Sequence, residues 1–278
     1  MKSKVVPTNS FADFYSQFYF DNSIDPRIKT IIGIPSDLGT ISKEAEAWIT
    51  NKRLKKGIFD NYSLAWKSGK VFWQNNTLCL KDSFISDGTY RNGYGSPINI
   101  QDFENYCNTL NCISQSDWKN LTFEDLYSSI VKSSPINLGP VYICTSIFFK
   151  TKGNLPIYDQ FAHKAIRALI CEMKPSDIYI GSNPGKTEIN KVVTMYNEYY
   201  QLVGKLQFDD AFRTEFGDLS KRNTEFISRK FDQALWVYGH CFNSWFDIPF
   251  KLSLAIDNLT EENEDLRSQL EELNKAFW

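Results

Sequence analysis

The stretch that most constrains the fold covers residues 134–169, SPINLGPVYICTSIFFKTKGNLPIYDQFAHKAIRAL. Its centre, VYICTSIFF, carries no charged side chain, so a helix built from it has to be covered on nearly every face. Just before it, Ile136-Asn137-Leu138-Gly139 alternates apolar side chains with residues that tolerate a positive φ, Gly freely and Asn at modest cost. The pattern predicts a tight turn with left-handed backbone that enters a helix at Pro140. Proline suits the first helical turn, where its missing N–H would have no partner anyway. Such a turn presents backbone N–H groups at a helix N-terminus, and the helix dipole there favours a phosphate oxygen.

Asp159 comes twenty residues after Gly139, at the end of a loop reading Pro156-Ile157-Tyr158. Behind it, Phe161, Ala162, Ala165, Ile166 and Leu169 fall on one face of a helix. Asp159 therefore stands at a helix N-terminus. The plain reading is an N-cap, whose loss costs roughly 1 kcal/mol. The sharper reading gives the carboxylate a chemical role.

A phosphate-gripping turn, a buried helix and then an Asp after a Pro resemble the helix-hairpin-helix DNA glycosylase superfamily over residues 134–169. The family hairpin usually reads Leu-Pro-Gly-hydrophobic-Gly, where this chain has Ile136-Asn137-Leu138-Gly139. One residue usually separates the Pro from the Asp, and here there are two, Ile157 and Tyr158. The resemblance implies a mainly α, two-lobed glycosylase-like fold with a helix-hairpin-helix and a few short strands. It implies that Asn137, Leu138, Gly139 and Pro140 hold a DNA phosphate. Asp159 would then be the catalytic carboxylate beside a flipped base, with Tyr158, Tyr142 and Tyr94 as candidates for the base pocket.

Breaking an N-glycosidic bond passes through an oxocarbenium-like sugar, which a carboxylate can stabilise while it orients water. Lyase-type members of the family place a Lys just after the hairpin, whereas here Pro140, Val141 and Tyr142 follow Gly139. The implied activity is hydrolysis alone, leaving an abasic site in double-stranded DNA that carries a damaged or modified base. That activity would serve repair or defence against phage DNA. The resemblance implies no cofactor and no metal, although it allows a structural monovalent cation at the hairpin. Two readings from other classes stand beside it: a non-catalytic helix-hairpin-helix DNA-binding module, and a helical protein-interaction scaffold.

Composition narrows the field further. Aromatic residues make up 15% of the 278, too many for a disordered chain. A net charge of −2 argues against a long, indiscriminate nucleic-acid surface but leaves room for a local basic patch. The densest basic cluster is Lys52, Arg53, Lys55 and Lys56. It reads either as a solvated helix C-terminus or as a phosphate contact, and Lys150 and Lys152 are further candidates for the patch. Six cysteines without a CxxC pair read as reduced thiols of a cytoplasmic protein. No apolar run approaches the roughly 20 residues of a membrane span.

Along the rest of the chain, helices are expected around 10–20, from an N-cap at Ser42 to Gly57, up to Gly69, and over 99–131. Short extended pieces are confined to about 71–100. Tyr90-Arg91-Asn92-Gly93-Tyr94-Gly95 reads as a turn with packed tyrosines or as a loop bordering a nucleotide site. Residues 1–100 are expected to pack with 190–278, residues 101–169 to form the hairpin lobe, and 170–190 to be a surface insertion. The C-terminal leucines, Leu259, Leu266, Leu270 and Leu273, repeat near 3.5 residues in an acidic stretch. They would pack on the domain of a monomer or join a weak dimer through about two heptads.

Overall fold

Polar caps at the starts of apolar stripes set the helices of this chain. The computed structural model describes residues 8–20, 24–39, 41–208, 224–259 and 263–275. These residues are mainly helical, with thirteen α-helices among them. In the first part of the chain lie α1 (Thr8–Ser16), α2 (Pro26–Ile32), α3 (Lys43–Ile49) and α4 (Asn61–Lys67). After the strands come α5 (Ile100–Cys112), α6 (Gln115–Asn120), α7 (Phe123–Ile130), α8 (Pro140–Lys150) and α9 (Gln160–Cys171). The last are α10 (Ile189–Phe208), α11 (Thr224–Gly239), α12 (Ile248–Asp257) and α13 (Glu264–Asn274). Ser42 accepts the Ala45 N–H at 3.2 Å, the cap expected from sequence. Thr122 and Asp125 close a reciprocal capping box on α7.

The strands are few and short. β1 (Val71–Gln74) and β2 (Thr77–Leu80) form an antiparallel hairpin turned by Asn75 and Asn76, both at positive φ. β3 (Ile85–Ser86), β4 (Thr89–Arg91) and β5 (Pro97–Asn99) form a second small antiparallel sheet, with Tyr90 opposite Ile98.

The chain divides into two units. The hairpin unit comprises Ile41–Tyr158 and Ser182–Glu198; the Asp159 unit comprises Met1–Thr40, Asp159–Gly181 and Tyr199–Trp278. Residues 41–100 thus belong with the hairpin rather than with the C-terminal helices. The cause is aromatic: Phe59 packs on Phe103, Tyr106 and Phe149, and Trp66 meets Phe149 edge-on at 5.5 Å. The hairpin unit ends at Tyr158, not at Leu169, because the apolar face of α9 packs on α11.

In the Asp159 unit, Phe11, Tyr15, Tyr238 and Trp245 form a buried aromatic cluster with ring centroids 5.0–5.5 Å apart. The C-terminal leucine seam lies in the same unit. Leu266, Leu270 and Leu273 are buried, and α13 packs on α12, so the face that a coiled-coil dimer would need is already covered. Of the acidic stretch, Glu261 and Glu262 lie outside the described residues. None of the helices among the described residues is long and apolar enough to cross a membrane.

Candidate functional site

The hairpin turn links α7 to α8 through a short 3-10 segment, Val131–Ser133. Its backbone differs from the sequence expectation. Gly139 sits at φ −69° and ψ 170°, and Asn137 is not among the residues at positive φ. The reversal comes instead from a four-residue turn in which the Leu138 N–H reaches the Pro135 carbonyl at 3.0 Å. Leu138 is buried and anchors the turn, while Ile136 points outward. Gly139 is the N-cap of α8 and supplies no capping side chain; the Tyr142 and Ile143 N–H groups return to its carbonyl.

Two side chains that sequence reasoning missed hold this turn. The Lys186 ammonium donates to the Ser134 carbonyl and hydroxyl at 3.1 Å each, and also to the Pro135 carbonyl. Burial lowers its pKa from the ordinary lysine value. Lys186 lies in the stretch expected to be a surface insertion, yet the Tyr127 hydroxyl also binds its carbonyl at 3.0 Å. These three oxygens of the turn are therefore occupied by an ammonium. The second is Asn92, a buried side chain whose amide donates to the Asn137 carbonyl at 3.3 Å. Its oxygen accepts the N–H groups of Tyr94 and Ser96 at 2.9 and 3.0 Å. Asn137 in turn donates to the Pro97 carbonyl at 2.6 Å. The loop over residues 92–97 and the hairpin turn are thus one clamped structure.

The three tyrosines proposed for a base pocket meet different fates. Tyr158 is fully buried and has no open face to offer. Tyr142 is also buried, and its hydroxyl accepts the Gly93 N–H at 2.7 Å, so it acts as a strut between the loop and α8. Tyr94 is 82% exposed on the clamped loop. Of the three, it alone presents an open ring.

The basic candidates also separate. Arg53 is bound to Asp60 at 2.6 Å, and its guanidinium lies 4.5 Å from the Trp48 ring centroid and 5.2 Å from that of Tyr62. It is a structural ion pair rather than an open phosphate contact. Lys150 is buried, donates to Asn111 at 3.0 Å and faces the Trp118 ring; burial lowers its pKa. Lys52, Lys55 and Lys56 are exposed, and Lys152 is half-buried against Gly57. Lys152 follows the C-terminal end of α8, about 15 Å along the helix from the hairpin turn.

Asp159 begins the other unit. Half-buried, it caps α9 by accepting the Phe161 N–H on Oδ1 at 2.8 Å. The Phe161 ring stacks on the His240 imidazole, with centroids 3.6 Å apart and planes 21° from parallel. His240 directly follows α11, and its Nδ1 lies 2.8 Å from the Trp236 carbonyl. A carbonyl only accepts, so Nδ1 carries the proton. Gly239 allows this arrangement: a Cβ there would stand 2.0 Å from the Phe161 carbonyl oxygen. Burial pushes the His240 imidazole below its ordinary pKa; the bond to Trp236 and the charges of Asp159 and Asp37 act upward, and Lys164 acts downward.

The rest of the chemistry-bearing inventory is plain. All six cysteines are free thiols, and burial raises Cys107 to about 12. Among the described residues, no three His, Cys, Asp or Glu side chains gather where a metal could be held. No protein-family model, curated protein or solved structure matches the chain.

Proposed function

We propose that the protein is a monofunctional DNA N-glycosylase that hydrolyses the bond between deoxyribose and a damaged or modified base. One observation carries the reading: Asp159 starts α9 half-exposed, with an imidazole at hand, in the first helix after an uncapped helix N-terminus at a hairpin. The α8 N-terminus and its turn supply a phosphate site of backbone type. Asp159 supplies the negative charge that an oxocarbenium-like sugar needs. Tyr94 offers a ring on which an extruded or neighbouring base stacks.

Hydrolysis is favoured over lyase chemistry on two grounds. No lysine stands directly after the hairpin, and Lys150, the first one beyond it, is buried and hydrogen-bonded to Asn111. The role of Asp159 as a cap favours a second reading, a DNA-binding module in which the carboxylate only caps the start of a helix.

Asp159→Asn separates the two, because its amide oxygen still caps α9 while the charge is gone. The variant should bind DNA at least as well as wild type and excise base on the order of 10²–10³ more slowly. Wild type should leave abasic sites that break only in hot alkali, and borohydride should trap no protein–DNA adduct. Substrates should span damaged DNAs and phage DNAs with modified cytosine. Binding without abasic sites across that panel would replace the enzyme by the module, and an adduct trapped by borohydride would replace hydrolysis by lyase chemistry.

A further inference from the structure

The His240 corner carries more than packing requires. Its ring lies against two aromatic side chains, stacked on Phe161 at 3.6 Å and tilted against Trp236 at 4.5 Å between centroids. The Trp236 carbonyl fixes the tautomer with the proton on Nδ1, which leaves a lone pair on Nε2. The ring is half-buried. The backbones of Gly239 and Phe161 approach closely beside the ring. The Asp159 carboxylate lies near enough to raise the affinity of the imidazole for a proton. A base whose tautomer, plane and neighbouring carboxylate are all fixed is an arrangement that proton transfer uses.

We infer that His240 is the general base of the reaction proposed for Asp159, taking a proton from the attacking water through Nε2. The inference rests on the glycosylase reading. Water adds its oxygen to C1′ of the sugar as the N-glycosidic bond breaks, and its proton passes to Nε2. The bonding pair leaves with the base, which takes up one proton, and the imidazolium returns its proton to solvent or to that base. Asp159 then stabilises both the sugar cation and the imidazolium, which accounts for one carboxylate beside two positive charges. The charged groups facing the ring are Asp159 and Lys164 from the α9 side and Asp37 from the segment after α2. Because burial is the largest influence and acts downward, the imidazole stays neutral, and competent as a base, through neutral pH.

Two measurements test this on the full chain. The first needs no substrate. The chain has two histidines, so imidazole nitrogen resonances are readily assigned. His240 should show the Nδ1–H tautomer and titrate below the ordinary value, and Asp159→Asn should lower its midpoint further. The opposite tautomer, or a midpoint indifferent to Asp159→Asn, overturns the inference even if every activity variant misfolds. The second is single-turnover excision across pH. Wild-type rates should fall on the acid side as His240 protonates, whereas His240→Gln should lose that limb and run roughly 10²-fold slower or more at neutral pH. Added imidazole should recover part of the rate in His240→Ala. If His240→Gln keeps both rate and acid limb, the base assignment fails while the glycosylase reading stands. If wild type excises nothing, both fall together.

Discussion

The hairpin turn and the Asp159 corner solve opposite problems. In the proposed function the working groups at the turn are backbone amides, and the side chains around them are fasteners: Lys186, Asn92, Asn137 and Tyr142 all bind carbonyls or N–H groups of neighbouring loops. At the corner the proposed working groups are side chains, and the backbone is the fastener: the Phe161 N–H holds Asp159, the Trp236 carbonyl holds His240, and Gly239 lets the two helices close. A site made of amides tolerates changes of residue as long as the path of the chain survives. A site made of a carboxylate and an imidazole tolerates almost none. The two regions should therefore respond differently to substitution, and the differences can be measured.

The largest expected effect is at the corner. In Gly239→Ala the new methyl would meet three backbone atoms of Phe161, the nearest at 2.0 Å, and no side-chain rotation relieves that contact. The helices must separate, at a cost of about 3 kcal/mol, the upper end for an overpacked core. A denaturant midpoint lowered by that amount, with loss of the Phe161–His240 stacking, is the expected result. An unchanged midpoint would mean that α9 and α11 are not in such close approach, and the corner would lose its claim to rigidity.

What the sequence disclosed about these regions follows the same division. The buried α8, the Ser42 cap, the turn at Asn75 and Asn76 and the position of Asp159 as an N-cap are all written in local pattern, and they are seen. The left-handed turn at Asn137 and Gly139 is not seen, because tolerance of positive φ is not a requirement for it. Lys186 and Asn92 were invisible for a different reason. They reach carbonyls 45 and 52 residues away, and a lone polar side chain has no periodicity to betray its partner. His240 is a similar case: nothing around it in sequence points to Phe161. The two-unit division hinged on which aromatics share a core, and Phe59 chose Phe103 and Phe149.

A middle-sized effect is expected from the fastener Lys186. Lys186→Met keeps much of the stem and removes the ammonium, leaving the Ser134 and Pro135 oxygens without their donor. Hydrogen bonds to charged groups contribute roughly 1.5–3 kcal/mol each when well buried, and here partial exposure lets water replace some of them. A loss of about 1 kcal/mol in stability follows. The three oxygens are hard donors of the kind a potassium ion accepts, so DNA binding by the variant should improve when potassium replaces tetramethylammonium. Wild type should be indifferent to that exchange at constant ionic strength. Potassium dependence in wild type would show that Lys186 is not the resident cation.

The smallest effect on stability, and the sharpest on role, belongs to Gly139. Its φ of −69° is open to any residue, and an added Cβ meets nothing within 4 Å. Gly139→Ala should shift stability by only a few tenths of a kcal/mol. In Gly139→Asp the new carboxylate stands at an N-cap position, where Asp is among the preferred residues, so α8 should be held as well as before or slightly better. The same carboxylate would lie at the proposed phosphate site. Two unit charges 4 Å apart in water repel by about 1 kcal/mol, and more where solvent is excluded. Stability and DNA affinity should therefore move apart: a melting temperature equal to or above wild type, with DNA binding weakened roughly fivefold or more at moderate salt and recovering as salt screens the repulsion. Gly139→Ala is the control for bulk without charge and should bind nearly as wild type. If Gly139→Asp binds DNA as tightly as Gly139→Ala does, the α8 N-terminus is not where the phosphate sits, and the turn is a fastener like the side chains that hold it.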